Sequence, residues 1–230
     1  MPIQIIGDAG AIADVDGESF RAQRIVSRGP EYASFGSYQA SITSAAVVSG
    51  ALATGSATAG HVFAFRWGDS KRLCLLTYVK FNFQTVALFT ANQLVDFGFD
   101  AYVARNYVAT HTGNLAAVLT NNSFKRRKAM GTTLLADMRI ASGAALAHAA
   151  GGSVQDDNAF AKSIGDPQHM RPTAGTEAQR VNDPTFAWCG RHPLVFVQNE
   201  GFVIRNRKVW PAAGSGLFSV TVRWSEVEGY

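Results

Sequence analysis

Acidic side chains are the first place to look for chemistry in this chain, because two carboxyls held a fixed distance apart are the minimum equipment for cleaving a glycosidic bond. Asp96 with Asp100, Asp156 with Asp157, and Glu226 with Glu228 offer carboxylate pairs, though no arrangement in the chain has the spacing that catalysis demands. The first and third pairs fall on stretches that alternate apolar and polar residues, where carboxylates mark a solvated strand face. The second sits in a loop, where it suits calcium no better than it suits water. His111, His148, His169 and His192 are widely scattered, and none stands at a ligand spacing from another His or Cys. They read as surface or turn residues, and no metal is expected. Cys189 lies two residues before Arg191 and three before His192, which would polarise a thiol, but no base is identified. Beside Trp188 it reads as a packed structural cysteine. A Gly-Lys phosphate loop, a GxGxxG turn, an HExxH pair and a GxSxG elbow are all absent. The expectation is a protein that is not an enzyme, with no catalytic residue and no cofactor.

Two features point to partners instead. Lys125-Arg126-Arg127-Lys128 sets four adjacent cations on the polar loop that begins at Asn121. Such a run can grip phosphate or an acidic protein surface, or it can simply be solvated. Pro2, Ile3, Ile5 and Ile6 make an apolar N-terminal arm, a liability when exposed and useful when paired with a neighbour's sheet edge. Asn121-Asn122-Ser123 matches a glycosylation sequon, a triplet that arises readily by chance. The formal charge of +4 and isoelectric point near 9.2 permit an acidic partner but fall short of a nucleic-acid footprint.

The elements that would carry these residues are strands. Phe218, Val220, Val222 and Trp224 alternate with Ser219, Thr221 and Arg223, the period of a strand with one buried face. His61, Phe63, Phe65 and Trp67 share one side of another, and Gly68-Asp69-Ser70 then predicts a hairpin into the long stretch Arg72 to Ala87. In that stretch Leu73, Leu75, Val79, Phe81, Phe83 and Ala87 form the apolar face. Phe20–Ser27, segments within Tyr32–Val48, Val95–Val103, Leu115–Leu119, Thr132–Ile140, Pro193–Val197 and Gly201–Asn206 are further strands, although Leu134, Leu135 and Met138 also allow a short helix. The turn Pro211 to Gly216 makes the last two strands a hairpin candidate.

With 230 residues, 47% hydrophobic, only 17% charged and 22 glycines, the chain suits short strands joined by tight turns around one core. The expected fold is all-β: a single antiparallel, jelly-roll-like sandwich over residues 1–230, with an extended arm over 1–19 and a long irregular loop excursion over 141–190. Cys74 and Cys189 stand far apart without a CxxC, which favours a reduced interior over a disulfide framework. The start lacks the features of a secretory leader, and the Ala/Ser/Thr/Gly run from Ser41 to Ala59 is too weakly hydrophobic to span a bilayer, so a soluble protein is expected.

Four stretches resemble a family of tailed-phage virion proteins: Ala59 to Trp67, Phe97 to Arg105, Gln198 to Asn206, and the terminal Val-x-Val-x-Trp strand. They are packing and turn motifs, and the family offers no active-site residue to carry across. The resemblance implies a particle component present in many copies: a decoration or cement protein that stabilises the head by bridging capsomers. Its partners would be the major capsid protein and further copies of itself, as a trimer or another homo-oligomer. It would be made in the host cytoplasm and located in the virion, on the head rather than the tail, with no membrane and no nucleic acid involved. The alternative is a tail or receptor-binding module whose Tyr32, Tyr38 and Trp188 stack on host glycans.

Overall fold

The computed structural model describes residues 5–6, 12–13, 36–48, 50–52, 56, 59–87, 98–113, 115–117, 125, 131–148, 154–164, 193–210 and 213–228. Every helix or strand among the described residues is a strand, and the short helix allowed near Met138 is strand instead. Strands β1 (Ile5–Ile6) and β2 (Ile12–Ala13) pair with each other. A five-stranded antiparallel sheet contains β3 (Gly36–Thr43), β4 (Val47–Val48), β6 (Arg72–Ala87), β12 (Leu194–Phe196) and β14 (Ser215–Glu228), in the order β12-β6-β14-β3 with β4 also on β14. The second, seven-stranded sheet contains β5 (His61–Trp67), β7 (Phe99–Arg105), β8 (Leu115–Ala116), β9 (Leu135–Ile140), β10 (Val154–Gln155), β11 (Ala161–Ile164) and β13 (Glu200–Asn206). Its order is β10-β7-β13-β5-β9-β8, with β11 also on β7.

The two sheets pack face to face on aromatic rings. Phe99 of the seven-stranded sheet meets Phe218, Phe81 and Phe83 of the other at centroid distances of 5.4, 5.0 and 5.7 Å. Phe65 meets Trp224 edge to face at 5.6 Å. Each such pair adds about 0.5–1.5 kcal/mol beyond the area it buries. The antiparallel sandwich expected from the sequence is therefore the observed architecture.

The hairpins are not. The turn after Trp67 carries the chain from the seven-stranded sheet into the five-stranded one, because both edges of β5 are already occupied, by β13 and β9. Asp69 Oδ1 fixes the crossing by accepting the N–H groups of Lys71 and Arg72 at 2.9 and 2.7 Å, and Trp67 Nε1 donates to Arg72 O at 2.9 Å. β13 and β14 likewise lie in different sheets. Trp210 is buried on the path between them, against Phe83 and Phe218.

Bulges correct two further readings. Arg223 pairs with Tyr78 while Trp224 pairs with Leu76, so Thr77 is an extra residue and β6 changes face there. Cys74 and Leu76 point into the core before the bulge and Val79, Phe81 and Phe83 after it, leaving Leu75 half-buried, while a second bulge with Val86 as the extra residue precedes the exposed Ala87. The excursion expected to be irregular is partly pinned: β10 and β11 both pair with β7. The arm expected to be extended turns back through the β1–β2 pair at Ile5 and Ile6, while Pro2 and Ile3 lie outside the described residues. Phe20–Ser27 lies outside them too.

Gly201 offers a direct test of this register. It sits between Arg66 and Ala104, and a Cβ there would come within 1.9 Å of the Phe65 carbonyl oxygen. Gly201→Ala is expected to destabilise the fold by about 3 kcal/mol, the upper end of overpacking costs. Urea unfolding measures it, and an unchanged midpoint would contradict the β5–β13 pairing.

Candidate functional site

The outer face of the seven-stranded sheet holds the densest polar network, and it depends on a bulge. Phe63 pairs with Ile204 but His61 pairs with Arg205, so Val62 is an extra residue. Val62 and Phe63 both join the core, and His61 turns to the outer face alongside its partner Arg205. The sequence placed His61 with Phe63, Phe65 and Trp67; one inserted residue reverses that.

On the outer face His61 meets two other histidines. His61 Nδ1 lies 2.7 Å from His111 Nε2, and both residues are fully buried. Their ring centroids are 4.9 Å apart with planes 21° apart. That separation is about the N···N distance plus the two ring radii, so the imidazoles meet edge to edge through one shared proton rather than stacking. Tyr107 Oη lies 2.7 Å from His111 Nδ1. His61 Nε2 lies 3.0 Å from the Ser56 carbonyl and 2.9 Å from Gln155 Nε2, whose amide orientation is set by Arg205 Nη1 donating to Gln155 Oε1 at 2.7 Å. Arg205 also lies over the Tyr102 ring at 3.6 Å. His148 stands edge-on to both other histidines, at 5.6 and 5.0 Å.

The cluster has two proton arrangements, and each leaves one of the two neighbours of His61 Nε2, Gln155 or Ser56, unmatched. In one, Tyr107 donates to His111 Nδ1, His111 Nε2–H donates to His61 Nδ1, and His61 Nε2–H donates to Ser56 O. In the other, Gln155 donates to His61 Nε2, His61 Nδ1–H donates to His111, and His111 Nδ1–H donates to Tyr107 Oη. Both keep the imidazoles neutral. Burial lowers His61 to about 4, helped by the charges of His148 and Arg205, and lowers His111 to about 3, helped by His61, His148 and Arg139. Burial likewise raises the Tyr107 hydroxyl.

Because the two ring nitrogens point at each other, their lone pairs do not converge on a third point. Among the described residues no group of three or more His, Cys, Asp or Glu is arranged to hold a metal ion. The sequence missed this cluster because its members come from separate elements: the start of β5, the loop 106–113 and the segment 141–148.

The carboxylates that the sequence offered as pairs do not assemble among the described residues. Asp100 pairs with Arg207 at 2.5 Å, whereas Asp96 lies outside the described residues. Asp156 pairs with Arg105 at 2.8 Å, and Asp157 is exposed beside it. Glu226 is fully buried on the inner face of β14, and the Glu228 side chain lies outside the described residues. Thr133 Oγ1 and the Leu134 N–H donate to Glu226 Oε1 at 2.6 and 2.9 Å. Thr133 Oγ1 in turn accepts from Trp224 Nε1 and the Leu135 N–H at 3.2 and 3.1 Å. Glu226 thus fastens the approach to β9 onto the other sheet. Burial raises its carboxyl against the pull of Thr133, Leu134 and Arg72. Burial and the same carboxylate raise the Cys74 thiol, an inert state for a cysteine, and push Tyr38 up to about 12.

Of the basic run, Lys125 forms an antiparallel bridge with Tyr38 of β3, and Arg126, Arg127 and Lys128 lie outside the described residues. So do Cys189, Trp188, His169 and His192.

A carboxyl raised by folding contributes stability as pH falls and costs stability once ionised at neutral pH. Glu226→Gln keeps an acceptor for Thr133 and Leu134 and removes the buried charge, so unfolding at pH 7 should show equal or higher stability. Glu226→Ala should lose about 1–3 kcal/mol, since it strands both donors. A glutamine variant weakened as much as the alanine variant would show that the charge itself holds the corner.

No family model, no curated protein and no solved structure matches this chain.

Proposed function

We propose that this chain is a structural virion protein of a tailed phage, a decoration or cement subunit that binds the major capsid protein and bridges capsomers, in several copies that contact one another. The observation that carries the reading is the outer face of the five-stranded sheet. Cross-strand partners point to the same side, and on this side the rows run Gln39–Arg223–Tyr78, Ser41–Thr221–Lys80 and Thr43–Ser219–Asn82. Ser41 and Thr43 are exposed and the other members of these rows are half-buried. Ser41 bonds Thr221 at 2.9 Å, Thr43 bonds Ser219 at 3.0 Å, and Arg223 donates to Gln39 at 2.5 Å while lying 4.9 Å from the Tyr78 ring.

These rows present two bonded hydroxyl pairs, the Gln39–Arg223 pair, two cations and no carboxylate. A partly pre-ordered, weakly cationic surface suits an acidic protein lattice. It loses little side-chain entropy on docking, and many copies multiply a modest affinity. On the opposite outer face, among the described residues, Tyr107 of loop 106–113 and Leu146 of segment 141–148 pack with Ala64, Tyr102, Ala104 and Val203. The resemblance of β5, β7, β13 and the end of β14 to phage virion proteins supplies the identity of the lattice.

Lys80→Glu with Arg223→Glu reverses the sign of the face without touching the core. Occupancy on purified heads is expected to fall at least about tenfold, with the wild-type protein itself released by rising salt. Immunogold labelling should lie on heads. Absence of the protein from purified particles, labelling confined to tails, or full occupancy by the double variant would each overturn the reading.

A further inference from the structure

We propose that His61 and His111 form a two-proton latch, which holds loop 106–113 and segment 141–148 on the seven-stranded sheet while both rings are neutral and releases them when both are protonated. The geometry sets the proton count. One added proton can be housed: a charged His61 donates from Nε2 to Ser56 O and from Nδ1 to His111, and His111 donates from Nδ1 to Tyr107. A second cannot, because two fully protonated rings would face each other N–H to N–H across 2.7 Å. The contact must break.

What would move is tied to the same residues. Leu146 N–H donates to His61 O at 2.9 Å, and Thr112 and Ala147 exchange backbone hydrogen bonds at 3.0 and 3.1 Å. The loop and the segment are therefore bonded to each other and to the first residue of β5. Beneath them lies a small apolar cluster of Ala64, Tyr102, Ala104, Tyr107, Leu146 and Val203, separate from the main core. Release would uncover that patch while the sandwich stays closed.

The surrounding charges favour release in acid. Arg205 from β13 faces His61, Arg139 from β9 faces His111, and His148 faces both. Arg66 from β5 donates to Thr110 Oγ1 and the Tyr107 carbonyl. The carboxylates nearby are engaged elsewhere, Asp137 by Arg139 at 2.9 Å, Asp100 by Arg207 and Asp156 by Arg105. None of these pairs places a carboxylate on either imidazole.

Both histidines titrate lower in the closed form than the ordinary 6.5, so the closed form is stable above that value and loses ground as pH falls toward about 4. Each proton taken up on opening makes the opening constant rise tenfold per pH unit, and two make it rise about 100-fold. Native-state hydrogen exchange at the Leu146 and Thr112 amides, corrected for intrinsic rates and followed from about pH 6 to about 4.5, reads this slope directly. The wild-type protein should show about 100-fold per unit, His111→Gln about tenfold, and His61→Gln with His111→Gln none. Global unfolding frees the same two histidines, so the control is the size of the opening free energy: the Val222 amide at the centre of β14 should stay far more protected than Leu146 and Thr112 across the whole range. A wild-type slope of tenfold or less at Leu146, equal protection of Leu146 and Val222, or a wild-type slope kept by the double variant would each overturn the latch. Should the variants not fold, the wild-type slope at Leu146 together with its protection relative to Val222 decides it.

Discussion

The cross-sheet contact of Phe99 with Phe81, Phe83 and Phe218, continued by Phe65 on Trp224, is the constraint to which the rest of the molecule conforms. Rings this large bury enough area to dominate a small domain's stability, and they do so only if every strand presents the correct face. Strict alternation cannot achieve that along a 16-residue strand such as β6. The bulges at Thr77 and Val62 reset the alternation where it would turn a ring outward or leave the core short.

The polar chemistry follows from those corrections. Inserting Val62 keeps Phe63 and Phe65 inside and sends His61 outside, to a place where it is still wholly buried because two loops close over it. An imidazole in that position has to find a partner or be neutral, and here it does both. Glu226 is the counterpart at the other end of the inner face. The register that packs Trp224 carries Glu226 inward as well, and Thr133, Leu134 and Arg72 make its burial tolerable.

Alternation made the individual strands legible. Phe218 to Trp224, Phe63 to Trp67 and Gly201 to Asn206 are strands with the buried faces that the pattern required. Pairing was not legible, because a turn such as Gly68-Asp69-Ser70 reports that the chain reverses, without reporting whether it returns to the same sheet. Bulges were invisible for a related reason: Val62 and Thr77 are ordinary strand residues, and only a partner strand reveals that one is extra. The histidine cluster joins His61 to His111, 50 residues further along, through that hidden irregularity, so spacing rules for ligands and catalysts pass over it. A faint local sign was His61 following Gly60, whose φ of 69° marks an irregular entry to the strand.

The claim on which all of this turns is that one inserted residue in β5 carries His61 out of the core and into a single-proton contact with His111. Nitrogen-detected NMR of a histidine-labelled sample at neutral pH tests it most directly. The account predicts two neutral imidazoles with a scalar coupling across an N–H···N bond between His61 Nδ1 and His111 Nε2. A His61 ring that shows no such coupling and titrates at its ordinary value in open solvent would contradict it.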